Sequence, residues 1–132
     1  QNRPDAMILS YPVISALKET HPEWHDSFSA LLGENPTPEA EAFFSLEDQV
    51  DEETVPAFCW HTMDDDCVSV TNTMRFVKSL YEHGIPAECH LFEHGHHGLS
   101  MCTREVGDDY PHVAHWFELS CEWLCTRFDW QV

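Results

Sequence analysis

Thr54-Val-Pro-Ala-Phe-Cys-Trp-His61 runs straight into Thr62-Met-Asp-Asp-Asp66, and the design returns at Ala87-Glu-Cys-His-Leu-Phe92, which runs into Glu93-His-Gly-His-His97-Gly98. The first stretch is nearly all apolar and too short for a helix, as strands covered on both faces read. Each apolar run ends in a polar loop, one rich in carboxylates and the other in imidazoles. Strands that run the same way would bring both loops to one end of a sheet.

The neighbouring segments fit that frame. Upstream, Asp5-Ala-Met-Ile-Leu-Ser10 is a short apolar run that stops at Tyr11-Pro12, a strand leaving the sheet. Residues 15 to 50 are a polar, helical excursion. Glu23 to Leu32 predicts one helix stopped by Gly33, and Thr37-Pro38-Glu39 sets up a second with Thr as N-cap and Pro at its first position. After the acidic loop, Ser69 is placed to cap a helix in which Val70, Met74, Val77 and Tyr81 recur at helical spacing, ended by Gly84 and Pro86. Asp108-Asp109 before Pro111 starts a last helix with Val113, Trp116, Ser120, Trp123 and Arg127 on one side. Strand, excursion, strand, helix, strand, helix predicts an α/β fold of parallel strands with crossover helices. The first strand has no visible neighbour on its outer side.

Composition narrows the function. The 132 residues fit one domain by length, and 42% apolar content with five Trp and eight Phe predicts a packed core. Acidic residues number 24 against 6 basic, a net charge of −18. Such a surface repels phosphate backbones and anionic lipid, which argues against nucleic acid and membranes as partners. The six cysteines include no Cys-x-x-Cys pair, and Cys59 and Cys89 fall inside strand-like runs. Buried free thiols and a cytoplasmic location are expected. The chain opens Gln1-Asn-Arg-Pro without an initiator Met, so an upstream segment is expected and secretion stays open.

Reactive groups of open α/β sheets gather at the carboxyl ends of the strands. A carboxylate after one strand and an imidazole after the next are two members of an acyl-transfer triad. The imidazole takes a proton from a nucleophile, and the carboxylate fixes its tautomer and stabilises the imidazolium. Three Asp after a strand can also be a mere turn or helix cap. The joint pattern, on consecutive strand ends and in the order acid then histidine, favours catalysis.

At these residues the chain resembles the α/β-hydrolases. His61-Thr-Met-Asp-Asp65 with Val68 is similar to the acid motif of bacterial acetyl-xylan and feruloyl esterase-like enzymes, and Gly95-His-His97-Gly98 to their histidine motif. Tyr11-Pro12-Val13, Leu31-Leu32-Gly33, Ser45-Leu46, Gly84-Ile-Pro86 and Trp123-Leu124 extend the similarity over nearly the whole chain. Prolyl-oligopeptidase-type domains share the same two motifs. Ser69 departs from the family, which usually carries Pro there. The resemblance implies Asp65 as the triad acid, His97 as the base, no cofactor, and a small-molecule or carbohydrate ester as substrate. It also implies that residues 1–132 are the C-terminal portion of one α/β-hydrolase domain, lacking the half with the nucleophile.

Ser10, Ser69 and Ser100 lack the flanking glycines of a nucleophile elbow. Loss of a triad serine costs on the order of 10⁶ in rate, so this segment alone is expected to be inactive. Two further readings stay open. His90, His94, His96 and His97 with Asp64 to Asp66 offer metal ligands, although without HExxH spacing. The exposed edge at residues 6 to 10 suits a non-catalytic module or one half of a two-chain assembly.

Overall fold

A computed structural model describes residues 3–17, 27–106 and 109–130. Strand β1 (Met7–Ser10), helices α1 (Ser27–Leu32) and α2 (Pro38–Phe44), strand β2 (Ala57–Thr62), helix α3 (Thr71–Glu82), strand β3 (Ala87–Phe92) and helix α4 (Pro111–Phe128) follow one another along the chain. The strands form one parallel sheet in the order β1-β2-β3, with Ser10 level with Trp60 and Cys59 level with Cys89. The α/β reading from sequence therefore holds.

The central strand β2 explains its own composition. All six of its residues are buried. Successive side chains on a strand point to opposite faces, so Phe58 and Trp60 enter one core with Phe92, Leu99, Val113 and Trp116. Ala57 and Cys59 enter the other, with Ile14, Val50, Phe76 and Leu80. Helix α4 closes the first core: Trp116 stacks on Trp60 at 5.2 Å between ring centres, and its indole N–H donates to the Ser100 carbonyl.

Buried polar groups stitch the excursion to α3 and to itself. Asn72 Oδ1 accepts from the backbone N–H of both Ile14 and Ser15 at 2.9 Å, and Ser45 Oγ accepts from Ala16 N–H. These are backbone donors that burial would otherwise leave unpaired. Helix α2 starts as expected, with Pro38 in its first turn and the Thr37 hydroxyl accepting from Ala40 N–H. Of the helix expected over residues 23–32, the part from Ser27 is α1, and residues 23–26 lie outside the described residues.

Helix α3 corrects one sequence expectation. Its buried face is Asn72, Thr73, Phe76, Ser79 and Leu80, whereas Met74 and Tyr81 are exposed. The inward face is rotated because polar Asn72 and Thr73 turn inward to bond buried groups, which an apolar pattern does not register. Val70, not Ser69, occupies the cap position, and Ser69 Oγ instead accepts from Thr71 N–H. All six cysteines are free. Cys59 and Cys102 are buried, whereas Cys67, Cys89, Cys121 and Cys125 are half-buried. Burial pushes the Cys59 and Cys89 thiols up to about 12 and about 11, with Cys89 adding to the effect on Cys59. Among the described residues, no helix is long and apolar enough to cross a membrane.

Candidate active site

Asp65 and His97 meet. The loop after β2 carries Asp65 and the loop after β3 carries His97, and the parallel register puts both at the carboxyl end of the sheet. His97 Nδ1 lies 2.9 Å from Asp65 Oδ2, the Asp65 side chain fully buried and that of His97 30% exposed. A carboxylate on Nδ1 places the ring proton there and leaves Nε2 as the basic nitrogen. Among the described residues, Nε2 has no hydrogen-bond partner.

The carboxylate is held from four directions. Asp65 Oδ1 accepts from the backbone N–H of Cys67 at 2.9 Å and of Val68 at 2.8 Å, and Oδ2 receives His97 and, at 3.2 Å, His61 Nε2. Burial alone drives the carboxyl upward and is the largest single effect. Hydrogen bonds from His61, Val68, His97 and Cys67 together outweigh it and hold Asp65 at about 2. The acid is therefore an anion throughout the range in which an imidazole works.

Asp64, whose role the sequence left open, anchors the histidine loop. Its Oδ1 accepts from Gly95 N–H at 2.7 Å, and its Oδ2 pairs with His94 Nδ1 at 3.0 Å. The His94 contact and the Gly95 N–H hold Asp64 below the usual carboxylate range, and the same contact, with Glu93 nearby, raises His94. Gly95 has φ +155°, and its carbonyl accepts from the Thr62 hydroxyl. A Cβ there would sit 2.7 Å from Leu99 Cδ1 and 2.8 Å from Thr62 Cγ2, so the loop can pass only as glycine.

Tyr11, at the end of β1, walls the imidazole. Its ring lies 4.7 Å from that of His97, edge to face, and its hydroxyl accepts from Ser100 N–H. Tyr11 has φ +38°, a conformation that costs a non-glycine residue about 1–3 kcal/mol. His96, adjacent to His97, is turned away: its Nδ1 bonds the His97 carbonyl and its ring meets Tyr110. His90 pairs with Glu88. Among the described residues, no three His, Cys, Asp or Glu side chains gather as a metal site. Ser10 Oγ accepts from the Trp60 indole, and Ser69 Oγ bonds the Thr71 hydroxyl.

Sequence reasoning gave His61, Thr73 and Tyr11 no role of their own and offered Asp64 only as a metal ligand. His61 had a signal, because it shares the inward-facing parity of Ala57 and Cys59 on a strand buried on both faces.

Residues 5–122 match the model of the prolyl oligopeptidase family. The chain belongs to that family. Two relatives of this prolyl oligopeptidase family chain carry xylanase or xyloside hydrolase names. It is 46% identical over 103 residues to endo-1,4-beta-xylanase B of Butyrivibrio fibrisolvens, a match covering 78% of this chain and 16% of that protein. The crystal structure of an acetyl ester-xyloside bifunctional hydrolase from Caldicellulosiruptor lactoaceticus superposes with a TM-score of 0.83 and 40% identity, covering 94% of this chain and 43% of that one. An α/β-hydrolase enzyme from a deep-sea metagenome gives a TM-score of 0.71 and 32% identity, over 97% of this chain and 46% of that one. The α/β-hydrolase resemblance drawn from the two motifs thus holds for fold and family. The chain spans less than half the length of each of these three proteins.

Proposed function

We propose that this chain supplies the acid and the base of a serine-dependent carboxylic-ester hydrolase acting on acylated carbohydrate. The observation that carries the reading is the 2.9 Å contact between buried Asp65 and half-buried His97. His97 Nε2 takes the proton of a serine hydroxyl contributed by an upstream segment as that oxygen attacks the ester carbonyl. The Asp65 anion stabilises the imidazolium, which then protonates the leaving alcohol. Water repeats the cycle on the acyl-enzyme. Tyr11 shields one side of the imidazole, and the excursion over residues 15–50 shapes the acyl pocket. The acetyl ester named for the solved relative at 40% identity supports an acetylated sugar as substrate.

The family model favours a second reading, a peptidase cleaving beside proline, which would use the same two residues. The protein extended through its upstream serine separates them. Acetylated xylan is expected to be deacetylated, with little cleavage of a proline-containing peptide; the reverse preference would select the peptidase. A fluorophosphonate probe is expected to label the extended protein and leave residues 1–132 alone unlabelled. Labelling of the short segment would refute the assignment of the nucleophile upstream.

A further inference from the structure

His61 is fully buried and sits between the acid and helix α3. Its Nε2 faces two acceptors, Asp65 Oδ2 at 3.2 Å and the Val68 carbonyl at 3.0 Å, so Nε2 carries the hydrogen. Its Nδ1 lies 2.7 Å from the hydroxyl of Thr73, itself fully buried on α3. A hydroxyl can donate to a bare ring nitrogen, so Thr73 fixes the tautomer that points a donor at the acid. The opposite tautomer would turn a lone pair towards a carboxylate and a carbonyl together.

We propose that His61 is a positioning residue for the acid–base pair, held in its donor tautomer by Thr73. The inference rests on Asp65 and His97 acting as acid and base. Its geometric basis is that His61 and His97 bond the same oxygen, Asp65 Oδ2. His61 thereby does two things. It fixes the rotation of the carboxylate, since Oδ1 is taken by two backbone N–H groups and Oδ2 by two imidazoles. It also shares the negative charge that faces His97, so the acid orients the base without over-stabilising its protonated form. The β2–α3 unit thus extends the acid–imidazole pair inward as a chain, His97–Asp65–His61–Thr73, ending on a helix that the excursion clamps through Asn72.

The test is ester hydrolysis against pH in the extended protein, for Thr73→Val, Thr73→Ser, His61→Leu and His61→Gln. Thr73→Val removes only the hydroxyl, and His61→Gln keeps a donor near the Nε2 position. Thr73→Val and His61→Leu are expected to lower kcat by about 10–100-fold with KM nearly unchanged, as loss of alignment in a site does. The acidic limb of the kcat/KM profile should also move to higher pH, because removing a donor leaves more negative charge facing the base. Thr73→Ser and His61→Gln should restore most of both properties. If His61→Leu does not fold, the Thr73 pair carries the test. A lowered melting temperature with kcat and the pH limb unchanged would overturn the proposal and leave His61 a packing residue. Should Asp65→Asn keep full activity, the acid–base reading itself falls, an outcome distinct from failure at His61 or Thr73.

Discussion

Asp65 contributes to stability as well as to the proposed chemistry, and the two are separable by pH. Its folded value of about 2 lies below the ordinary 3.8, so the folded state favours the anion. The resulting stabilisation, about 2 kcal/mol, is fully present above the unfolded value. It is lost as pH falls from roughly 4 through 2, once protons bind both states equally. Asp65→Asn should therefore lower the urea midpoint at pH 7, and the gap from the parent protein should close towards pH 2. A gap of constant size would mean that packing, not charge, supports the site. The same substitution separates the two neighbouring aspartates. Asp64 is half-exposed and holds a loop, so its loss should perturb Gly95 and His97 indirectly, whereas loss of Asp65 removes the contact itself.

At the scale of elements, strand ends were legible and helix faces less so. β3 runs over the residues expected, because a short apolar run between Pro86 and a Gly-His loop has few other ways to fold. The meeting of the acidic and histidine loops was legible for the same reason, since parallel strands deliver their following loops to one end, whereas the choice of Asp65 and His97 within them came from the family resemblance. What stayed hidden is how polar residues are used inside. Asn72 and Thr73 face inward because each bonds buried groups, so helix α3 is turned away from the stripe that Met74 and Tyr81 suggest. His61 showed in the sequence only by its parity on β2, since its partners come from 7 and 12 residues away. The corrected face makes a plain prediction. Leu80→Ala, at a fully buried position, should cost about 2–5 kcal/mol in chemical denaturation. Tyr81→Ala, at a side chain 83% exposed, should stay within about 0.5 kcal/mol. Equal costs would restore the stripe read from sequence.

Over the whole molecule, two features pull against each other. Strand β1 lies at a sheet edge, and Ile8 on it is 40% exposed. An uncovered edge offers unpaired backbone groups to any other strand, and pairing with a second copy is the simplest outcome. The net charge of −18 opposes that pairing by repulsion between copies. Salt decides the contest, because the screening length falls from about 30 Å at 0.01 M to about 8 Å at 0.15 M ionic strength while edge hydrogen bonding is unaffected. Residues 1–132 expressed alone should therefore sediment mainly as monomer in low salt and associate as salt rises. An upstream segment whose strand covers Met7–Ser10 should abolish that response, and amide exchange at those four residues should slow with it. Salt-independent association of the isolated segment would assign the contact to another surface, such as the exposed apolar side chains Leu31 and Phe43 of the excursion. Persistence of rapid exchange at residues 7–10 in the extended protein would show that the upstream segment proposed to carry the serine packs without strand pairing at this edge.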